Sequence, residues 1–213
     1  IDVPRLEIKR SSLNGKSYNY VTWKKTLLYP QKEGKLEINP MTLDVSIDVP
    51  TNRRDFFGNI IYTQTSSKVS SNKKVVNVKS LPTENKPEDF FGAVGDFNIS
   101  LNSNKNELKA TESFQVELKI SGSGNLKLFS IPDLIVPSSL EKYDPEYSES
   151  VKIGLAGMNG NISNTYTIVP QFQGKYPIPR VKFSFFNPRL NKYSTIFSDE
   201  EIVDVYDGPI VSN

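Results

Sequence analysis

Apolar and polar residues alternate along much of this chain. Phe114, Val116, Leu118 and Ile120 take every second position, as do Leu43, Val45 and Ile47, and Val181, Phe183 and Phe185. Polar residues fill most of the places between, and a period of two puts the apolar set on one face of a pleated strand. No stretch carries apolar residues at i, i+3, i+4 and i+7 over three turns, the pattern of a helix with a buried face. Most of the 14 prolines and 12 glycines fall between the alternating runs, where turns are needed. Strands this short and this regularly punctuated predict an all-β chain built as antiparallel sandwiches, rather than a barrel or a βαβ sheet.

The end of the chain repeats its beginning. Leu28, Pro30, Gln31, Gly34, Lys35 and Ile38 answer to Ile168, Pro170, Gln171, Gly174, Lys175 and Ile178, each pair 140 positions apart. Met41, Leu43 and Val45 continue the match against Val181, Phe183 and Phe185. One supersecondary unit used twice produces such self-similarity. The unit reads as two strands joined by a short connection: the proline, with no N–H to donate, ends a ladder, and the glycine allows the turn.

Two blocks follow from this. Residues 1–82 form the first, ending in the strand of Val75, Val76 and Val78; residues 83–89 are polar, bounded by Pro82 and Pro87, and read as a linker. Residues 90–213 form the second, with strands predicted at Phe97–Leu101, Phe114–Ile120, Leu126–Ile135, Val151–Leu155, Asn161–Val169, Tyr176–Phe186 and Ile202–Tyr206. That is the complement of one complete immunoglobulin-like sandwich. The repeated unit lies late in the second block but almost at the start of the first. The first block therefore reads as the C-terminal part of a sandwich without its opening strands, expected to find cover on the second block or on another copy.

Composition narrows the chemistry. The net charge is +2, from 26 basic and 24 acidic residues well mixed along 213 positions, which offers no basic face for nucleic acid. The densest basic stretch, Ser66–Lys74, reads as a solvated hairpin tip. With no His and no Cys, catalytic triads, cysteine nucleophiles, disulfides and His- or thiolate-bound metals are excluded. Ser70–Lys73 and Ser71–Lys74 have a Ser-x-x-Lys spacing but sit in a polar segment, where nothing desolvates the lysine. Ser121-Gly-Ser-Gly-Asn125 contains a Gly-x-Gly with no helix to follow it, so a glycine-rich turn is expected rather than a phosphate cradle. Asp199, Glu200, Glu201 and Asp204 lack the glycine and alternate spacing of a calcium loop and read as an acidic turn into a terminal strand. Asn98-Ile-Ser and Asn161-Ile-Ser match the glycosylation triplet but fall inside predicted strands. The expectation is no enzyme, no cofactor and no metal site. One segment stands out as a surface: Glu141, Tyr143, Asp144, Glu146 and Tyr147 put carboxylates beside tyrosines in a polar connection, and tyrosine is enriched at interfaces.

Four motifs stand in order along the chain: Leu28-Tyr-Pro-Gln-Lys-Glu-Gly-Lys-Leu-Glu-Ile, Lys86-Pro-Glu-Asp-Phe-Phe-Gly-Ala-Val-Gly, Ile120-Ser-Gly-Ser-Gly-Asn-Leu-Lys and Tyr143-Asp-Pro. Together they resemble the BatD family, the oxygen-tolerance proteins of the Bacteroides aerotolerance (Bat) operons. The resemblance implies tandem immunoglobulin-like domains in the periplasm, tethered to the inner membrane by a helix outside these residues. It also implies operon neighbours that include a MoxR-type ATPase and proteins with von Willebrand A domains, the expected partners, and it brings no catalytic residues. A non-enzymatic scaffold or adaptor in a stress-tolerance complex is the functional expectation. The alternative is a carbohydrate-binding or adhesin-like sandwich, for which Tyr18, Tyr20 and Trp23 are the candidate aromatics.

Overall fold

A computed structural model describes residues 7–210, which form sixteen β-strands and no helix. Pro30–Leu81 is one compact unit; the other joins residues 7–29 to residues 82–210. The first six strands are β1 (Lys9–Leu13), β2 (Lys16–Tyr20), β3 (Gly34–Ile38), β4 (Thr42–Arg54), β5 (Ile60–Ser70) and β6 (Lys74–Val78). β1 and β2 form a hairpin closed by Asn14-Gly15, both at positive φ, as a two-residue turn matched to strand twist requires. β3 pairs with β6, and β4 with β5, all antiparallel.

Ten strands follow: β7 (Gly95–Ser103), β8 (Glu107–Lys109), β9 (Phe114–Gly124), β10 (Leu140–Lys142), β11 (Glu146–Gly154), β12 (Gly157–Pro170), β13 (Gly174–Ile178), β14 (Lys182–Asn187), β15 (Lys192–Phe197) and β16 (Glu201–Asp207). One sheet runs β10–β12–β9–β7, with β11 also paired to β12. Against it lie β13–β16–β8 and the β14–β15 ribbon. Their facing side chains make two buried clusters. Val116, Leu118, Tyr166 and Ile168 meet Ile178, Val203 and Val205 in one. In the other, Phe97 sets its ring edge-on to those of Phe129, Phe183 and Phe185. This is a sandwich with inward residues at alternate positions, as the period of two predicts.

The repeat extends to six strands. β11–β12, β13–β16 and β14–β15 recur in order and pairing as β1–β2, β3–β6 and β4–β5. Burial separates the copies. Ile178, Val181 and Val203 are 0%, 6% and 1% exposed, whereas Ile38, Met41 and Val76 at the corresponding places are 41%, 47% and 46% exposed. β12 continues to Pro170 with β9 alongside it, while its counterpart β2 stops at Tyr20.

Several segments depart from the sequence reading. Leu126–Ile135 is not a strand: it opens with a turn (Leu128 N–H to Asn125 C=O, 2.8 Å) and buries Leu126 and Leu134 without a ladder. Pro132 in its middle has no hydrogen to give one. Tyr176–Phe186 is two strands, broken at Pro179-Arg180, whose halves pair with β16 and β15 respectively. Ser66–Ser70 belongs to β5, and the tip of that hairpin lies instead at Asp55–Asn59. Ser121–Gly124 is no turn but the end of β9. Gly122 faces Phe97 on one side and Gly160 on the other. A Cβ on Gly122 would stand 2.1 Å from the Asp96 carbonyl oxygen, so the glycines admit a backbone approach that no other residue allows.

The segment Pro82–Val94 is fastened along β14–β15. Tyr193 donates to the Pro82 carbonyl at 2.8 Å and packs edge-on against Phe90, under Lys86. Asp89 pairs with Lys182 at 2.9 Å and accepts the Ser184 hydroxyl at 2.9 Å. The motif around Asp89-Phe-Phe thus has a structural reason.

Candidate functional site

The acidic, tyrosine-bearing segment forms the rim of a sheet. β10 and β11 lie end to end along one edge of β12, with Lys142 opposite Ile168 and Glu146 opposite Thr165. Three residues, Tyr143, Asp144 and Pro145, therefore span the space of two, Tyr166 and Thr167. Tyr143 N–H still reaches the Thr167 carbonyl at 3.0 Å, and Pro145 has no donor to offer. The result is a bulge on an edge strand, which bends the strand outward and interrupts the ladder.

Beneath the bulge the structure is tied down. The Lys142 ammonium bonds both oxygens of Asp133 at 3.0 Å and the Leu134 carbonyl at 2.7 Å. It sits 5.1 Å from the centre of the Tyr166 ring. The Tyr166 hydroxyl donates to Asp133 at 3.1 Å and accepts the Leu134 N–H at 3.3 Å. Burial pushes the Asp133 carboxyl up, but the Lys142 and Tyr166 bonds outweigh it and hold the group below its ordinary value. Sequence reasoning missed Lys142, Asp133 and Tyr166, because the contacts join positions far apart in the chain.

Above the bulge the five predicted residues divide. Glu141 is engaged, accepting Tyr143 Oη at 2.8 Å and Gln171 Nε2 at 3.1 Å. That bond to Glu141 raises the Tyr143 phenol. Tyr147 donates to Glu149 at 3.2 Å, and Glu149 also pairs with Lys127. With Lys127, Phe129 and Asn164 these two residues line a polar cleft of about 320 Å³. Asp144 and Glu146 are exposed, and neither has a side-chain hydrogen bond or ion pair among the described residues. The structure therefore brings all five residues to one edge, with two carboxylates free and three side chains committed.

Other candidates are dispersed. Asp204 pairs with Lys175 at 3.5 Å, and among the described residues no group of three or more Asp or Glu is placed to hold a metal ion. Asn98 and Asn161 both lie in strands, each opposite Ser121.

The described residues thus hold an all-β sandwich with a bulged sheet edge that carries two exposed carboxylates. Residues 101–205 match the family model described as "BatD DUF11 like domain". This stretch is a BatD-family domain, which runs from within β7 into β16 and contains two of the four motifs, Ile120–Lys127 and Tyr143-Asp-Pro. No curated protein and no solved structure matches the chain.

Proposed function

We propose that this BatD module is a non-enzymatic adaptor of the periplasm, tethered by an anchor outside these residues and acting through protein contacts in a stress-tolerance complex. The observation that carries the reading is the pair of free carboxylates, Asp144 and Glu146, on a bulge whose underside is fixed by Lys142, Asp133 and Tyr166. A group held in place before binding loses little ordering entropy when a partner arrives. Von Willebrand A domains, the partners implied by the family's operons, often carry a divalent ion with one position open to a partner carboxylate. Asp144, beside the stiff Pro145, is the ligand this reading assigns, with Glu146 second. Titration of an operon A-domain protein against the chain tests it. Saturable binding in Mg²⁺ is expected, with loss in EDTA and in the Asp144→Ala, Glu146→Ala variant; affinity indifferent to both changes discards the site.

One observation favours the carbohydrate reading. Tyr18 and Tyr20 share a face of β2, and both are about half exposed, as is Trp23. Binding to a glycan array that is lost in Tyr18→Ala and Tyr20→Ala would establish it.

A further inference from the structure

The β4–β5 ribbon ends in an apolar tip that the adaptor reading leaves unused. β4 and β5 have 13 and 11 residues, whereas their counterparts β14 and β15 have 6 each. At about 3.3 Å per residue, the extra length carries the tip roughly 20 Å further along the ribbon. Phe56 and Phe57 at that tip are 97% and 85% exposed, with ring centroids 5.5 Å apart in an edge-to-face pair. Two neighbouring phenyl rings left wholly in water mark a contact surface.

The turn is built to hold them there. One Asp55 oxygen accepts the N–H groups of Phe57 and Asn59 at 2.9 and 2.8 Å, and the other accepts Asn59 Nδ2 at 2.9 Å. Asp55 N–H donates to the Asn59 carbonyl at 2.9 Å, and Gly58 N–H to the Asp55 carbonyl at 3.0 Å. Arg54 Nη1 donates to the Gly58 carbonyl at 2.7 Å. Just below, the register shifts between Pro50 and Arg54, and Thr51 bonds the Ile61 carbonyl, a kink that re-aims the end of the ribbon. The tip is thus ordered before it meets anything.

Charge selects the occupant. The Asp55 carboxylate spends its charge inside the turn, while Arg53 has no side-chain partner among the described residues and Arg54 keeps donors to spare. Rings at the extremity with guanidinium groups directly behind follow the depth order of a lipid surface, hydrocarbon beneath phosphate. Guanidinium is also the side chain best matched to phosphate oxygens. We propose that the Asp55–Asn59 tip is a lipid-contacting finger that seats Phe56 and Phe57 in the surface of an anionic bilayer, with Arg53 and Arg54 on the phosphates.

Co-flotation of the purified chain with vesicles tests this, using phosphatidylcholine alone and a three-to-one mixture with phosphatidylglycerol. The natural sequence is expected to float with the mixed vesicles and release in high salt. Phe56→Ser with Phe57→Ser should lower partitioning at least about tenfold. Arg53→Gln, which leaves the Arg54 bond to the Gly58 carbonyl in place, should lower it about fivefold on mixed vesicles while leaving phosphatidylcholine unaffected. All three substituted side chains are exposed, so circular dichroism should be unchanged in both variants. Failure of the natural sequence to float, as for a finger that fits only a protein pocket, overturns the proposal. So does equal flotation of the double Phe variant.

Discussion

The six-strand repeat allows one substitution to be made twice in equivalent places. Ile178→Ala removes an aliphatic side chain that is 0% exposed, inside a cluster with Leu118, Tyr176 and Val203. Buried Ile→Ala changes cost about 2–5 kcal/mol, the lost transfer energy plus that of the cavity left behind. For a unit of this size each kcal/mol moves Tm by about 2–4 °C, so a fall of roughly 4–20 °C is expected. Ile38→Ala removes the same atoms from the same register, opposite Lys74 as Ile178 is opposite Glu201. Ile38 is 41% exposed, so much of its surface already meets water and the cost should stay below about 1 kcal/mol. Urea unfolding read by peptide-resolved hydrogen exchange assigns each loss to its own unit. Equal costs at the two positions would refute the reasoning, since they would mean that Ile38 is as well covered as Ile178.

Two more outcomes follow from the geometry. Gly160→Ala puts a Cβ 2.0 Å from the Ser150 carbonyl oxygen and should cost about 3 kcal/mol or more in thermal unfolding; Gly34→Ala, also at positive φ but with open space, should cost only about 1–2 kcal/mol. At Asp89, burial raises the carboxyl pKa, but the Lys182 and Ser184 bonds more than offset it, leaving the folded value below the ordinary 3.8. A depressed folded pKa stabilises at pH above the unfolded value and loses that contribution as pH falls through the folded one. The stability gap between the natural sequence and Asp89→Asn, measured in urea from pH 7 downward, should therefore hold to about pH 4 and close below it; a gap that widens in acid contradicts the assignment.

The sequence carried the periodicity and the repeat because both are local or copied patterns. Leu43, Val45 and Ile47 alternate in print as they do in β4, and Gly34 and Gly174 open β3 and β13 at the same offset. The irregular run from Leu126 to Ile135 was not legible, since Leu126 and Leu134 are buried without any strand partner. Ser121–Gly124 looked like a turn because glycine usually serves turns; its use against Gly160 is visible only once β9 and β12 are paired. The candidate edge divides in the same way. Its carboxylates and tyrosines were apparent as a cluster, whereas the bulge depends on a one-residue mismatch with β12. The anchor beneath it depends on Tyr166 and Asp133, brought together only by folding.

The adaptor reading is tested most directly by hydrogen exchange on the chain alone and bound to an A-domain protein of the same operon, in Mg²⁺. The account predicts slowed exchange concentrated in peptides spanning Leu140–Tyr147, absent in EDTA and absent in the Asp144→Ala, Glu146→Ala variant. Protection confined to another surface, or no complex at all, would contradict it.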